Sequence, residues 1–105
     1  MGGPRDPLTP SPGDPARGVY AISVAAGLVG TGVQNLRAYE KRGLVEPTRT
    51  AGGTRMYSEE DVAQLRRITE LLSAGLNLTG IEMVLGLEAD NARLRASLDR
   101  ARRRR

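Results

Sequence analysis

TGVQNLRAYEKRGLVEPTRTAGGTRMYSEED, residues 31–61, carries its punctuation in an order that decides the architecture. Thr31-Gly-Val-Gln34 matches a capping box, in which a hydroxyl and a side chain three residues on satisfy the open N–H groups of a helix start. The spacing predicts a helix from there to Arg42. Gly43 follows, the residue type best able to close a helix in the left-handed conformation. Leu44 to Thr50 and Thr54 to Tyr57 then flank Ala51-Gly52-Gly53, a tight-hairpin signal. Pro47 cannot donate to a ladder, which assigns its arm to a sheet edge. Ser58-Glu-Glu-Asp61 is a second capping box, with acids in the first turn where they favour the helix dipole.

Working outward, Ser23 is the expected N-cap of a first helix, Val24 to Val29, with Val24, Ala25 and Leu28 facing inward and Gly30 ending it. Two short helices around a glycine-containing turn, followed by a hairpin, make a mostly α fold of the winged helix-turn-helix kind. Val62, Leu65, Ile68 and Leu72, with Leu71 beside them, recur at helical spacing and predict a third helix stopped by Gly75. Asn77 is the expected cap of a short fourth helix with Ile81, Val84 and Leu85 on its buried face. Leu87, Asn91, Leu94, Leu98 and Ala101 are spaced 4, 3, 4, 3, the rhythm of a coiled-coil seam. The domain reading is a disordered Pro/Gly-rich leader over 1–17, a DNA-binding domain over 18–86, a dimerisation helix over 87–101 and a basic Arg tail over 102–105.

Composition narrows the function. The 105 residues include no Cys, His, Phe or Trp. The missing Cys and His exclude disulfides, thiol redox sensing, soft-metal sites and His-based acid–base chemistry. No nucleophile–base pair or phosphate loop is present, and Glu59, Glu60 and Asp61 are consecutive, hence divergent on a helix. A non-enzymatic protein without cofactor or metal is expected. The longest apolar run, residues 19–33, is too short and too polar to span a bilayer, and the N-terminus lacks a secretory pattern; a cytoplasmic, nucleoid-associated location is expected. The net charge of +4 is unevenly placed: residues 37–57 carry +3, residues 58–90 carry −5 and residues 91–105 carry +6. Segregated positive charge is the footprint of a polyanion binder.

The candidate contacts follow. Gln34 and Asn35 lie at the start of the second helix, where a recognition helix meets base edges, and their amides suit adenine. Arg37, one turn on, is placed to reach a phosphate or a guanine, and Lys41 and Arg42 are expected on the same helix, away from the face of Val33 and Leu36. Arg49 and Arg55, on opposite arms of the hairpin, fit phosphate contacts; alternatively one of them braces the wing through Glu46 or Glu40. Tyr39 and Tyr57 either offer hydroxyls to phosphate or pack in a core that has no Phe or Trp. Arg102 to Arg105 form a sequence-blind polycation.

The runs Tyr20-x-Ile22-Ser-Val-Ala25-Ala, Leu36-Arg37-x-Tyr39-Glu40-Lys-x-Gly43-Leu44-x-x-Pro47-x-Arg49, Gly53-x-Arg55-x-Tyr57 and Asp61-Val62-x-x-Leu65 resemble the MerR family of bacterial transcription regulators across residues 19–87. The wing Arg49-Thr-Ala-Gly-Gly-Thr-Arg55, and Gly75-Leu-Asn-Leu-Thr-Gly-Ile81, are most similar to its heat-shock repressor subgroup, HspR. The resemblance implies a MerR-type winged-helix homodimer joined by an antiparallel coiled coil and bound to an inverted-repeat operator in double-stranded DNA. It implies that Arg37, Tyr39 and Arg55 match DNA-contacting positions. It further implies repression of chaperone genes with the DnaK chaperone as co-repressor. Activating relatives work instead with RNA polymerase, by distorting a promoter spacer. The chain departs from the family at Ala38, often aromatic, and at Met56, often basic, and the metal- or drug-sensing domain of many relatives has no counterpart. Two readings from other classes stand beside this one: an excisionase-like architectural or recombination accessory protein, and a protein-interaction module docking through its acidic helices.

Overall fold

The computed structural model describes residues 14–104; residues 1–13, most of the expected leader, and Arg105 lie outside them. The described chain runs β1 (Gly18–Ala21), α1 (Ile22–Val29), α2 (Val33–Lys41), β2 (Thr48–Arg49), β3 (Arg55–Ser58), α3 (Glu59–Ser73) and α4 (Leu78–Arg103). It forms two compact units, one ending at Thr69 and the other beginning at Glu70.

In the first unit α1 packs on α2 and on both β1 and β3. Ala25, Ala26, Leu36, Tyr39, Leu44, Val45, Tyr57, Val62, Leu65 and Ile68 are buried. The sheet has three antiparallel strands in the order β1-β3-β2, so the two-stranded wing of the sequence reading gains a third strand. That strand pairs Gly18 with Ser58 and Tyr20 with Tyr57, with a bulge between. β2 lies at the sheet edge, where Pro47 places it. Residues 14–17, expected within the leader, form a turn: Ala16 N–H donates to Asp14 Oδ1 at 2.8 Å and Arg17 N–H to Asp14 O at 2.9 Å. Pro15 O accepts from Glu60 N–H at 3.0 Å, satisfying one open donor at the start of α3.

The caps divide into those realised and those not. Ser58 and Asp61 form the reciprocal box, with Ser58 N–H on Asp61 Oδ2 at 2.9 Å and Asp61 N–H on Ser58 Oγ at 3.0 Å. Asn77 Oδ1 accepts from Gly80 N–H at 2.8 Å. The Thr31–Gln34 box does not form: α2 opens at Val33 with Gly32 in the N-cap position and no side-chain cap, so Thr31 stands one residue outside, where its Oγ1 accepts from the Asn35 amide at 2.8 Å. Nor does Ser23 cap α1, which starts at Ile22 behind Ala21. That start rotates the inward face onto Ala25 and Ala26, leaving Val24 and Leu28 50% and 44% exposed. Of the two adjacent leucines late in α3, Leu71 is buried and Leu72 turns outward.

The second unit holds the end of α3, a reversal and α4. Leu76 N–H reaches back to Leu71 O at 3.1 Å and Gly75 N–H to Leu72 O at 3.0 Å, the paired bonds of a Schellman stop. The expected short fourth helix and the expected pairing helix are one element of 26 residues. Gly86 sits within it: a glycine costs a helix about 1 kcal/mol relative to alanine but does not by itself end one. Ile81 is buried, whereas Met83, Leu87, Leu94 and Leu98 are exposed. Among the described residues no helix is long and apolar enough to cross a membrane.

Candidate nucleic-acid interface

The helix-turn-helix is made by α1, a glycine turn and α2. Gly30, at φ 78°, closes α1, with Thr31 N–H on Ala26 O at 3.0 Å. On α2, Leu36 and Tyr39 are buried while Gln34, Arg37, Ala38 and Lys41 are exposed. Positions 34, 37, 38 and 41 stand at i, i+3, i+4 and i+7, so they form one stripe opposite the core. Arg42 and Asn35 are also exposed, at the margins of that stripe. Asn35 donates one amide N–H to Thr31 Oγ1 at 2.8 Å, which leaves its second N–H and its Oδ1 for a base edge. Gln34 is the amide that projects on the stripe.

The exit from α2 sets the wing. Gly43, at φ 75°, supports two bonds: Gly43 N–H to Glu40 O at 2.9 Å and Leu44 N–H to Tyr39 O at 2.9 Å. A side chain at Gly43 would oppose that left-handed backbone. The reversal buries Leu44 and Val45 and returns the chain along α2. The hairpin then closes through a three-residue loop, with Gly53 N–H on Thr50 O at 2.9 Å, Thr50 N–H on Thr54 O at 2.8 Å and Gly53 at φ 85°. This is a type I turn followed by a left-handed residue, not the two-residue Gly-Gly turn.

Both wing arginines meet one carboxylate. Arg49 Nη2 lies 2.8 Å from Glu40 Oε1, and Arg55 Nε donates to Glu40 Oε2. Arg49 Nη1 also donates to Gly53 O at 3.2 Å. The sequence reading left open that one arginine is a brace; the structure makes both of them so, through Glu40 and not Glu46. Sequence alone does not choose between those acids, because the choice depends on the Gly43 reversal. The Arg49 and Arg55 side chains remain 47% and 30% exposed, so the clamp leaves surface for a further anion.

Tyr39 and Tyr57 are core residues. Tyr57 is fully buried, its hydroxyl without a hydrogen-bond partner, which is the packing alternative of the sequence reading and not the placement of a phosphate contact. Burial, and then the neighbouring Glu40 charge, push its pKa above the ordinary 10.0. Tyr39, 4% exposed, likewise packs rather than projects. Tyr20 donates its hydroxyl to Glu59, and that bond raises its pKa. Of the pairing residues, Leu87, Asn91, Leu94, Leu98 and Ala101 are all exposed on α4. No cluster of potential metal ligands occurs among the described residues.

Residues 20–87 match the model of the MerR HTH family of regulatory proteins. The chain is 48% identical over 79 residues to a heat shock protein, HspR, of Streptomyces coelicolor, covering 74% of this chain and 52% of that protein. It is 40% identical over 67 residues to the HTH-type transcriptional regulator GlnR of Bacillus anthracis, covering 64% and 52%. The chain thus spans about half the length of these curated relatives. Among solved structures it is similar to HiNmlR, a MerR family regulator lacking the sensor domain, bound to promoter DNA. That match has TM-score 0.63 and 28% identity over 75% of this chain and 63% of the other. GlnR and HiNmlR are regulators by name, in keeping with the non-enzymatic reading of the sequence. By the family match and the helix-turn-helix with its wing, the chain belongs to the MerR family of HTH regulatory proteins.

Proposed function

We propose that this chain is a dimeric, sequence-specific DNA-binding regulator that represses transcription from inverted-repeat operators. The observation that carries this reading is the exposed Gln34–Arg37–Lys41 stripe on α2 beside a wing whose two arginines are held on that same helix. A recognition helix in the major groove would set Gln34 and Arg37 on base edges, with Lys41, Arg42, Arg49 and Arg55 on phosphates. The exposed seam Leu87, Asn91, Leu94, Leu98 and Ala101 supplies the pairing surface, as an antiparallel coiled coil in line with the family resemblance. Two-fold pairing of readers suits a palindromic site. The likeness to HspR supports a heat-shock regulon, with a DnaK-type chaperone as co-repressor, and a location at the nucleoid in the cytoplasm.

The test contrasts two substitutions on a duplex containing the inverted repeat selected from a random-sequence pool. Arg37→Ala is expected to lower affinity on the order of tenfold and to relax preference at one base position. Lys41→Ala is expected to weaken binding to selected and scrambled duplexes alike, reducing the salt slope by about one. Unchanged binding in both variants favours the protein-interaction reading.

A further inference from the structure

The wing tip has little to hold it. Residues 48–54 are all exposed, and β2 contributes only two cross-strand pairs, Thr48 with Met56 and Arg49 with Arg55. A ladder that short, with no buried side chain at its tip, is marginal in water. Short-range bonds close the loop on itself: Thr54 N–H to Thr50 Oγ1 at 3.1 Å and Thr48 Oγ1 to Met56 O at 3.2 Å. These shape the hairpin, whose base is held by the pairing of β3 with β1, but they do not tie its tip to α2. The tie between the hairpin and α2 is Glu40, bonded to an arginine on each arm, with Arg49 passing the constraint on to the turn at Gly53. Glu40 is itself three residues from Arg37 and one from Lys41, on the helix that carries the exposed stripe.

We propose that Glu40 is a positioning residue that fixes the register between the reading helix and the wing, and so sets sequence discrimination while lowering raw affinity for DNA. This rests on the function proposed above. A carboxylate beside two phosphate-facing arginines repels the DNA backbone, so by charge alone its removal favours binding to any duplex. By geometry its removal frees the wing from α2, so phosphate contacts no longer hold the helix in one register over the bases. The two effects have opposite signs on specific binding and the same sign on non-specific binding. A merely electrostatic role and a positioning role therefore separate in one experiment.

The experiment measures Kd of the full chain and of its Glu40→Gln variant for two duplexes, the selected inverted repeat and a scrambled sequence of equal length, across a salt series. Gln keeps the shape and one acceptor but cannot hold two guanidinium groups by charge. The expected result is equal or tighter binding to the scrambled duplex, with the preference for the inverted repeat reduced at least about fivefold, the size of one lost good contact. Amide exchange at Thr50 and Gly53 should quicken in the variant while the amides of α3 keep their protection. A preference that stays intact in Glu40→Gln overturns the inference, as does unaltered exchange in the hairpin. If the unsubstituted chain itself shows no preference, the proposed function fails and this inference with it, and the two failures are thereby distinguished. Should Glu40→Gln lose the cooperative thermal transition of the unsubstituted chain, Glu40 is a folding residue and the positioning role is likewise overturned.

Discussion

Tyr57 concentrates the residue-scale chemistry, because it is the largest fully buried side chain and its hydroxyl has no partner. A buried, unpaired hydroxyl gives up its water without recompense, a cost of about 1–3 kcal/mol. Tyr57→Phe is therefore expected to leave the thermal midpoint unchanged or raise it, as read by circular dichroism; a fall of many degrees would mean the hydroxyl is bonded. Its pKa lies above 10.0 in the folded chain. The stability tied to that shift is present below the unfolded pKa and disappears as pH rises through the folded one. Denaturant titrations should thus show stability falling above about pH 10, less steeply in Tyr57→Phe. Tyr20, raised through its bond to Glu59, contributes in the same sense and persists in that variant. At this scale the sequence displayed the exposed stripe, since helical periodicity alone puts Gln34, Arg37 and Lys41 on one side. It left Tyr39 and Tyr57 undecided, because a tyrosine suits either a core or a phosphate. Glu40 was visible as one of two candidate braces and became the shared clamp only once the Gly43 reversal was in place.

Among the elements, those built from local signals were legible and those built from distant pairing were not. The α3 start follows from four adjacent residues, Ser58 to Asp61, and forms as written. Ser58→Ala is expected to cost about 1 kcal/mol in denaturant unfolding, and no measurable loss would show that the box is idle. β1 is four residues whose partner, β3, lies far along the chain, so nothing in its own sequence announced it. Its close approach leaves a signature at Gly18, where an added Cβ would stand 2.9 Å from both Met56 Cβ and Met56 O. Gly18→Ala should destabilise the first unit by about 1–3 kcal/mol through overpacking; a neutral result would mean that β1 is not docked there. The Thr31 box failed for a neighbouring reason. Gly32 takes the N-cap position, and the Thr31 hydroxyl accepts instead from Asn35, one helical turn away.

At the scale of the whole molecule, the decisive feature is a 26-residue helix whose leucines at 87, 94 and 98 are 66%, 69% and 50% exposed. Fully burying each contributes about 1.5–3 kcal/mol, which one described chain leaves ungained. Leu94→Glu, at the middle of the seam, is expected to yield monomers by analytical ultracentrifugation while the first unit keeps its fold; an unchanged dimer would move the pairing surface elsewhere. The seam's 4-3 rhythm was legible in the sequence, but its continuity with the preceding helix was not, since the inward face at Ile81, Val84 and Leu85 and the seam from Leu87 read as two patterns. Both aspects converge on a single prediction of pairing and reading together. The direct measurement is the stoichiometry and affinity of the chain on the selected inverted repeat, titrated against a scrambled duplex at physiological salt. Two chains per duplex are expected, with a preference on the order of 10³-fold or more over the scrambled sequence. Equal affinity for both duplexes, with a salt slope but no preference, would contradict that expectation.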